Sequence, residues 1–410
     1  MTFQEKINAY AKLVATHGVN VTKGKYVCIS CPLCAADFGR MVAENCYRLG
    51  AADVIMNYYD EQFSKIRYTW ASKEVIGDIP FWQAERRNLY ARQGCCNISI
   101  IADDPEIFTG VDSDKLMTAA IASKKAFKEF YDIMDQGGVR WTVVAYPNEK
   151  WAEKIFPPLK GEKAIAALWD NIFTTVRIGS GDAEENWEQH DSVLKERAEK
   201  LNAYAFDSLH YTNSLGTDLW VYLPENHIWY GGSEFDRDGV RYFPNMPTEE
   251  IFTMPHKDKT EGIVYSAMPL VYQGAIIDRF HLTFQKGKVV SYSAGTGEAV
   301  LKRLLDTDDG SKMLGEVALI PISSPISDLG ILFYETLFDE NASCHLALGE
   351  CYPNTIRCGE KMTEEELAAR GGNKSVNHVD FMIGTADMSI DGTKPDGTVI
   401  PVFRNGNFVF

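Results

Sequence analysis

In the run Ser375-Val376-Asn377-His378-Val379-Asp380-Phe381-Met382-Ile383-Gly384, an imidazole and a carboxylate stand two residues apart. If the run is a strand, its side chains alternate, so His378 and Asp380 share one face while Val379, Phe381 and Ile383 share the other. Two ligating groups whose separation is fixed by a pleat are well placed to hold a divalent ion. A His–Asp hydrogen-bonded pair that merely orders a sheet edge would have the same spacing, and the fragment by itself does not separate the two.

Other candidates are scattered more widely. His345 lies in Asp339-Glu340-Asn341-Ala342-Ser343-Cys344-His345-Leu346-Ala347-Leu348-Gly349, where Ala and Leu favour helix. The expectation is a helix over 333–348 stopped by Gly349. Tyr352 follows His345 at i+7 and can return to the same side after that helix ends. Glu250 sits in an extended segment between Pro247 and Pro255, which disfavour helical backbone. Glu316 opens the apolar run Val317 to Ile320 directly after a glycine, where a buried carboxylate needs a cation or strong hydrogen bonds. Taken singly, His345 and Tyr352 also suit a core, and Glu250 and Glu316 suit a turn or the surface. The six remaining histidines, His17, His190, His210, His227, His256 and His281, sit mostly alone among polar or aromatic neighbours and read as structural.

The elements that must position these groups fall into two grammars. Up to about residue 180, short apolar runs at Tyr26 to Ser30, Asp53 to Tyr59, Asn97 to Ala102 and Arg140 to Tyr146 alternate with helical patterns. That alternation predicts an open, mostly parallel α/β layer domain. No G-x-G-x-x-G follows the first of these strands, so a dinucleotide site is not expected. Gly179-Ser180-Gly181 reads as a helix stop and loop before an acidic helix over 183–203, and places the boundary between domains 1–180 and 181–410. Beyond Phe206, β-like segments separated by turn residues predict a β-rich α+β domain that carries all the candidate ligands. The turn Gly295-Thr296-Gly297-Glu298 joins a strand to a helix but lacks the Lys of a P-loop.

Composition narrows the function. A formal charge of −16 over 410 residues opposes a nucleic-acid or anionic-membrane partner. No stretch approaches the roughly 18 apolar residues of a membrane span, and Met1 to Val14 mixes charges where a signal peptide needs an apolar core. Nine cysteines, an odd number, suit reduced thiols and a cytoplasmic location. Cys28, Cys31 and Cys34 form C-x2-C-x2-C without a fourth thiolate at a fitting distance, so they read as small fillers at a strand-to-helix turn.

Four segments, N-M-P-T-E-E-I-F-T, L-G-E-V-A-L, L-F-D-E-N-A-S-C-H-L-A-L-G and N-H-V-D-F-M-I-G, occur in an order and spacing that resembles the aminopeptidase T / aminopeptidase S (peptidase S) metallopeptidases. The resemblance implies that Glu250, Glu316, His345, His378 and Asp380 are metal ligands, with Tyr352 a further ligand or a transition-state contact. It also implies exopeptidase action on short peptides with a free N-terminus, and a homodimer.

Three carboxylates and two imidazoles can hold two divalent ions (zinc, cobalt, manganese or magnesium) roughly 3.5 to 4 Å apart, with one carboxylate bridging and an acidified water between them. Glu316 is expected as bridging ligand or base and Glu250 as a second ligand, without a decision between the two roles. The same ligand set would serve another two-metal hydrolase, such as an amidase or phosphoesterase, or saturate its ions in a metal-stabilised binding protein.

Overall fold

The structure, a computed structural model, describes residues 1–273 and 275–410. The chain forms two compact units, Met1–His190 with Ser233–Pro247, and Asp191–Gly232 with Thr248–Phe410. The helix Ala183–Tyr204 contains the point where one gives way to the other.

In the first unit, four parallel strands, Tyr26–Pro32, Asp53–Tyr59, Cys96–Ile101 and Arg140–Ala145, form the sheet that the apolar runs foretell. Val27, Ile29 and Cys31 are buried at alternate positions of the first strand, so one face is packed more tightly than the other. A fifth strand, Asn245–Met246, adds to the Arg140–Ala145 edge from far along the chain. The cysteine cluster divides by position: Cys28 and Cys31 lie within the first strand, and Cys34 is exposed in the short turn after it. Cys31 is packed so closely that a Cβ on Gly39 would come within 2.7 Å of its sulfur.

The second unit is built on two antiparallel sheets. The larger runs in the order 270–272, 275–285, 261–265, 218–222, 208–212, 389–393, 399–404 and 407–408, with 288–296 paired to 275–285. The smaller has the order His378–Met382, His345–Gly349, Leu314–Leu319, Ile251–Thr253 and Tyr230–Gly231. Leu209, Leu219, Val264 and Leu282 of the larger sheet share one core with Val317, Leu319, Leu346, Leu348 and Phe381 of the smaller.

The expected helix over 333–348 is corrected by this sheet. Only Thr336–Asp339 is α-helical, a 3-10 turn covers Glu340–Ala342, and His345–Gly349 is a strand. All five of its residues are buried, and a strand buried on both faces reads as an unbroken apolar run without alternation. Gly349 ends that strand with φ +114° and does not stop a helix. At Gly295 to Glu298, the cradle is filled from within the chain, since the Glu298 carboxylate accepts from the Ala294 N–H (3.1 Å) and the Ser293 hydroxyl (3.2 Å).

Among the described residues, no helix is long and apolar enough to cross a membrane.

Candidate metal centre

The smaller sheet sets its side chains by register. Glu316 pairs with Ala347, and Ala347 with Asp380, across three neighbouring strands, so these three point to one face. The middle member is only a methyl group, which leaves room between the two carboxylates. His345, two residues before Ala347, and His378, two before Asp380, fall on the same face. His345 pairs with Ala318 on one side and Met382 on the other, and His378 with Gly349. Leu346, Leu348, Val317 and Phe381 take the opposite face into the core. Glu250 directly precedes the adjacent strand Ile251–Thr253, whose Ile251 pairs with Leu319.

The result is five ligating groups converging on one small volume. His345 Nε2 stands 3.3 Å from Glu316 Oε1, 3.5 Å from Glu250 Oε2 and 3.9 Å from Asp380 Oδ1. His378 Nε2 stands 3.4 Å from Glu316 Oε2 and 3.4 Å from Asp380 Oδ1. Two sets of potential ligand atoms, Glu250-Glu316-His345 and Glu316-His378-Asp380, each lie within 4.8 Å of one another. Glu316 belongs to both and offers a different oxygen to each imidazole.

These residues fit a cation on three grounds. Asp380 Oδ1 is buried without a hydrogen-bond partner among the described residues, an unfavourable state that a metal ion relieves. His345 Nδ1 donates to the Glu340 carbonyl (2.8 Å) and His378 Nδ1 to the Glu350 carbonyl (2.7 Å). A carbonyl can only accept, so both rings carry their proton on Nδ1 and, when neutral, turn an Nε2 lone pair toward the carboxylates. Finally, a mixed carboxylate and imidazole set is the chemistry that divalent transition metals prefer.

The electrostatics of the cluster point the same way. Burial alone would depress both histidines, but Glu316 and Asp380 outweigh it, raising His345 to about 9 and His378 well above its ordinary value. Burial also opposes charge on Glu316 and Asp380, yet the charges of the two imidazoles beside them hold both below the usual carboxylate range. Glu250, pushed up by burial and by Glu316, reaches about 8. Protons thus stand in for positive charge that the site is built to receive.

Tyr352 follows the His345–Gly349 strand, with its ring 4.7 Å from that of His378 and 5.9 Å from that of Phe252. Sequence reasoning passed over Glu340. The 3-10 turn that replaces the expected helix puts the Glu340 carbonyl under His345, and burial followed by the Asp380, Glu250 and Glu316 charges raises its carboxyl well above the ordinary range. Read as a helix, the segment would have set Glu340 and His345 five positions apart on different faces, which hid the connection. None of the six other histidines belongs to either ligand set among the described residues. Two of them have acidic partners: Glu188, 3.2 Å from His17, and Asp218, 2.7 Å from His210.

The chain matches the family described as thermophilic metalloprotease (M29) over residues 3–408. It is 42% identical over 409 residues to aminopeptidase AmpS of Bacillus subtilis (strain 168), covering 100% of both chains. It is 37% identical to aminopeptidase T of Thermus thermophilus, covering 99% of each. The structure of wild-type AmpT from Thermus thermophilus superposes with a TM-score of 0.92, covering 100% of each chain at 37% identity.

Proposed function

Since this chain belongs to the M29 metalloprotease family and is a metal-dependent aminopeptidase, we propose that it releases N-terminal residues from short peptides with two divalent ions held by Glu250, Glu316, His345, His378 and Asp380. The observation that carries this reading is the division of the Glu316 carboxylate, Oε1 toward His345 and Oε2 toward His378. A bridging ligand needs that division, and a base reserved for proton transfer does not.

When bound, such ions polarise the scissile carbonyl and acidify a water at neutral pH. The chain supplies the rest. His345 and Glu250 form one side of the cradle and His378 and Asp380 the other, with Glu316 between them. Whichever of Glu316 and Glu250 is not fully committed to metal would take the proton of the attacking water and return it to the leaving amine. Tyr352, whose ring lies 4.7 Å from that of His378, would donate its hydroxyl to the developing oxyanion or join the ligands. A free α-amino group satisfies an acidic side chain in this pocket and so measures the substrate from its end. Zinc, cobalt and manganese all suit the donor set, and magnesium suits it less well.

Hydrolysis of leucine- and arginine-headed dipeptides by chelator-stripped protein, with each of these metals added back, tests the reading. Metal-restored release of the first residue is expected, with N-acetylated peptides resistant. Equal cleavage of acetylated and free peptides would remove amine recognition, and a single bound ion at full activity would remove the two-ion arrangement.

The proposal extends to a cytoplasmic homodimer. All nine cysteines are free thiols, in keeping with a reducing compartment. Phe63, Ile66 and Trp70 fall at i, i+3 and i+7 of the helix Glu61–Trp70, which buries none of its residues. Phe81 and Trp82, at the start of Phe81–Arg92, are 79% and 70% exposed. Four such aromatic side chains offer on the order of 150–250 Å² each, which approaches the roughly 800 Å² per partner of a standard interface.

A further inference from the structure

His378 is the first residue of its strand, and the chain that delivers it, 373–377, has no regular structure of its own. Such a segment must find hydrogen-bond partners outside a ladder, and here they converge on one carboxylate. Asp308 Oδ2 accepts from the Val376 N–H (2.7 Å), and both its oxygens accept from the Ser375 hydroxyl (2.8 and 3.1 Å). Asp308 Oδ1 also accepts from the N–H and the hydroxyl of Ser311, each at 2.8 Å.

The two serines carry the connection onward. The Ser375 oxygen accepts from the Asn377 N–H (3.0 Å), and the Ser311 oxygen from the Asn377 side-chain amide (2.9 Å). The Asn377 carbonyl in turn accepts from the Glu350 N–H (2.7 Å), and the Glu350 carbonyl holds His378 Nδ1. Burial works against charge on Asp308, but the Val376 N–H and the two hydroxyls outweigh it.

We infer that Asp308 is a positioning residue for the His378 side of the metal centre: it ties the approach to His378 to the turn that precedes the Glu316 strand. This rests on the two-ion reading above. Metal sites require their ligands within about 0.5 Å of the productive geometry. His378 opens the edge strand of its sheet, paired on one side alone, whereas the strand that His345 opens and the strand that Glu250 directly precedes are hydrogen-bonded on both sides. Removing Asp308 therefore loosens one side of the cradle and spares the other.

The test is titration of stripped protein with cobalt, following the visible absorption of bound ion, for wild type, Asp308→Ala, Asp308→Asn and His378→Ala. Wild type is expected to bind two equivalents. In Asp308→Ala one equivalent should bind as in wild type and the other about 10–100-fold more weakly, the effect usual for residues that support a ligand. The spectrum lost first should match the one missing in His378→Ala, with Asp308→Asn intermediate. Equal weakening of both equivalents, or none, in folded variants overturns the inference. If Asp308→Ala does not fold, Asp308→Asn and Ser375→Ala decide by the same criterion. A single equivalent in wild type would instead sink the two-ion reading, a result independent of any Asp308 variant.

Discussion

At the scale of single residues, the side chains of the cluster balance one another's charges with protons. Glu316 and Asp380 are held ionised, His345 and His378 are held protonated, and Glu250 keeps its proton to about 8. Divalent ions must displace those protons. Because Glu250, His345 and His378 are all raised, each is protonated at neutral pH and releases a proton on binding. Metal affinity should therefore rise with pH, by up to about 1,000-fold per unit below 8 for three protons, and less steeply above 9. Calorimetry in buffers of different ionisation enthalpy would reveal the release, and a pH-independent affinity would contradict the assignment. Glu316→Gln should remove both equivalents of metal and lower turnover more than about 100-fold, whereas His345→Ala and His378→Ala each remove one. Elemental analysis of the purified variants distinguishes these outcomes. The pairing of His378 with Asp380 was legible because a half-buried strand alternates visibly. Glu340 and Asp308 were not legible, since their roles depend on a turn and on contacts 67 and 68 residues away in sequence.

At the scale of elements, the site is a property of register. Small residues at Ala318, Ala347 and Gly349 pair with the proposed ligands, while Met382 lies on the other side of His345. Gly315 marks an irregularity in the pairing just before Glu316, and a Cβ there would lie 2.3 Å from the carbonyl oxygens of both Gly349 and Glu350. Gly315→Ala should cost roughly 1–3 kcal/mol of stability, as overpacking generally does, and should weaken metal binding by shifting Glu316. Urea denaturation with metal titration measures both, and wild-type behaviour in each would show that the two strands part without consequence. The four long strands of the parallel sheet were readable from their apolar runs. The His345–Gly349 strand was not, because burial on both faces erases the alternation that separates strand from helix. Asn245–Met246 escaped notice for a simpler reason: two residues are too few to carry a period.

At the scale of the whole molecule, an acidic chain displays uncovered aromatic side chains on its first unit, with Trp70 82% exposed. Replacing Trp70 and Phe81 together by glutamate should convert a dimer to monomer in sedimentation analysis without altering the metal content of the chain. A wild type that sediments as monomer, or a variant that stays dimeric, would direct attention to another surface. The proposed ligands come from three strands and the residue that precedes a fourth, and are spread from Glu250 to Asp380. In an unfolded or partly frayed chain these groups drift apart, and no two neighbouring segments retain a complete cradle. A damaged copy therefore surrenders its ions and its hydrolytic power together, so that the enzyme is disarmed by the same event that makes it a substrate for others.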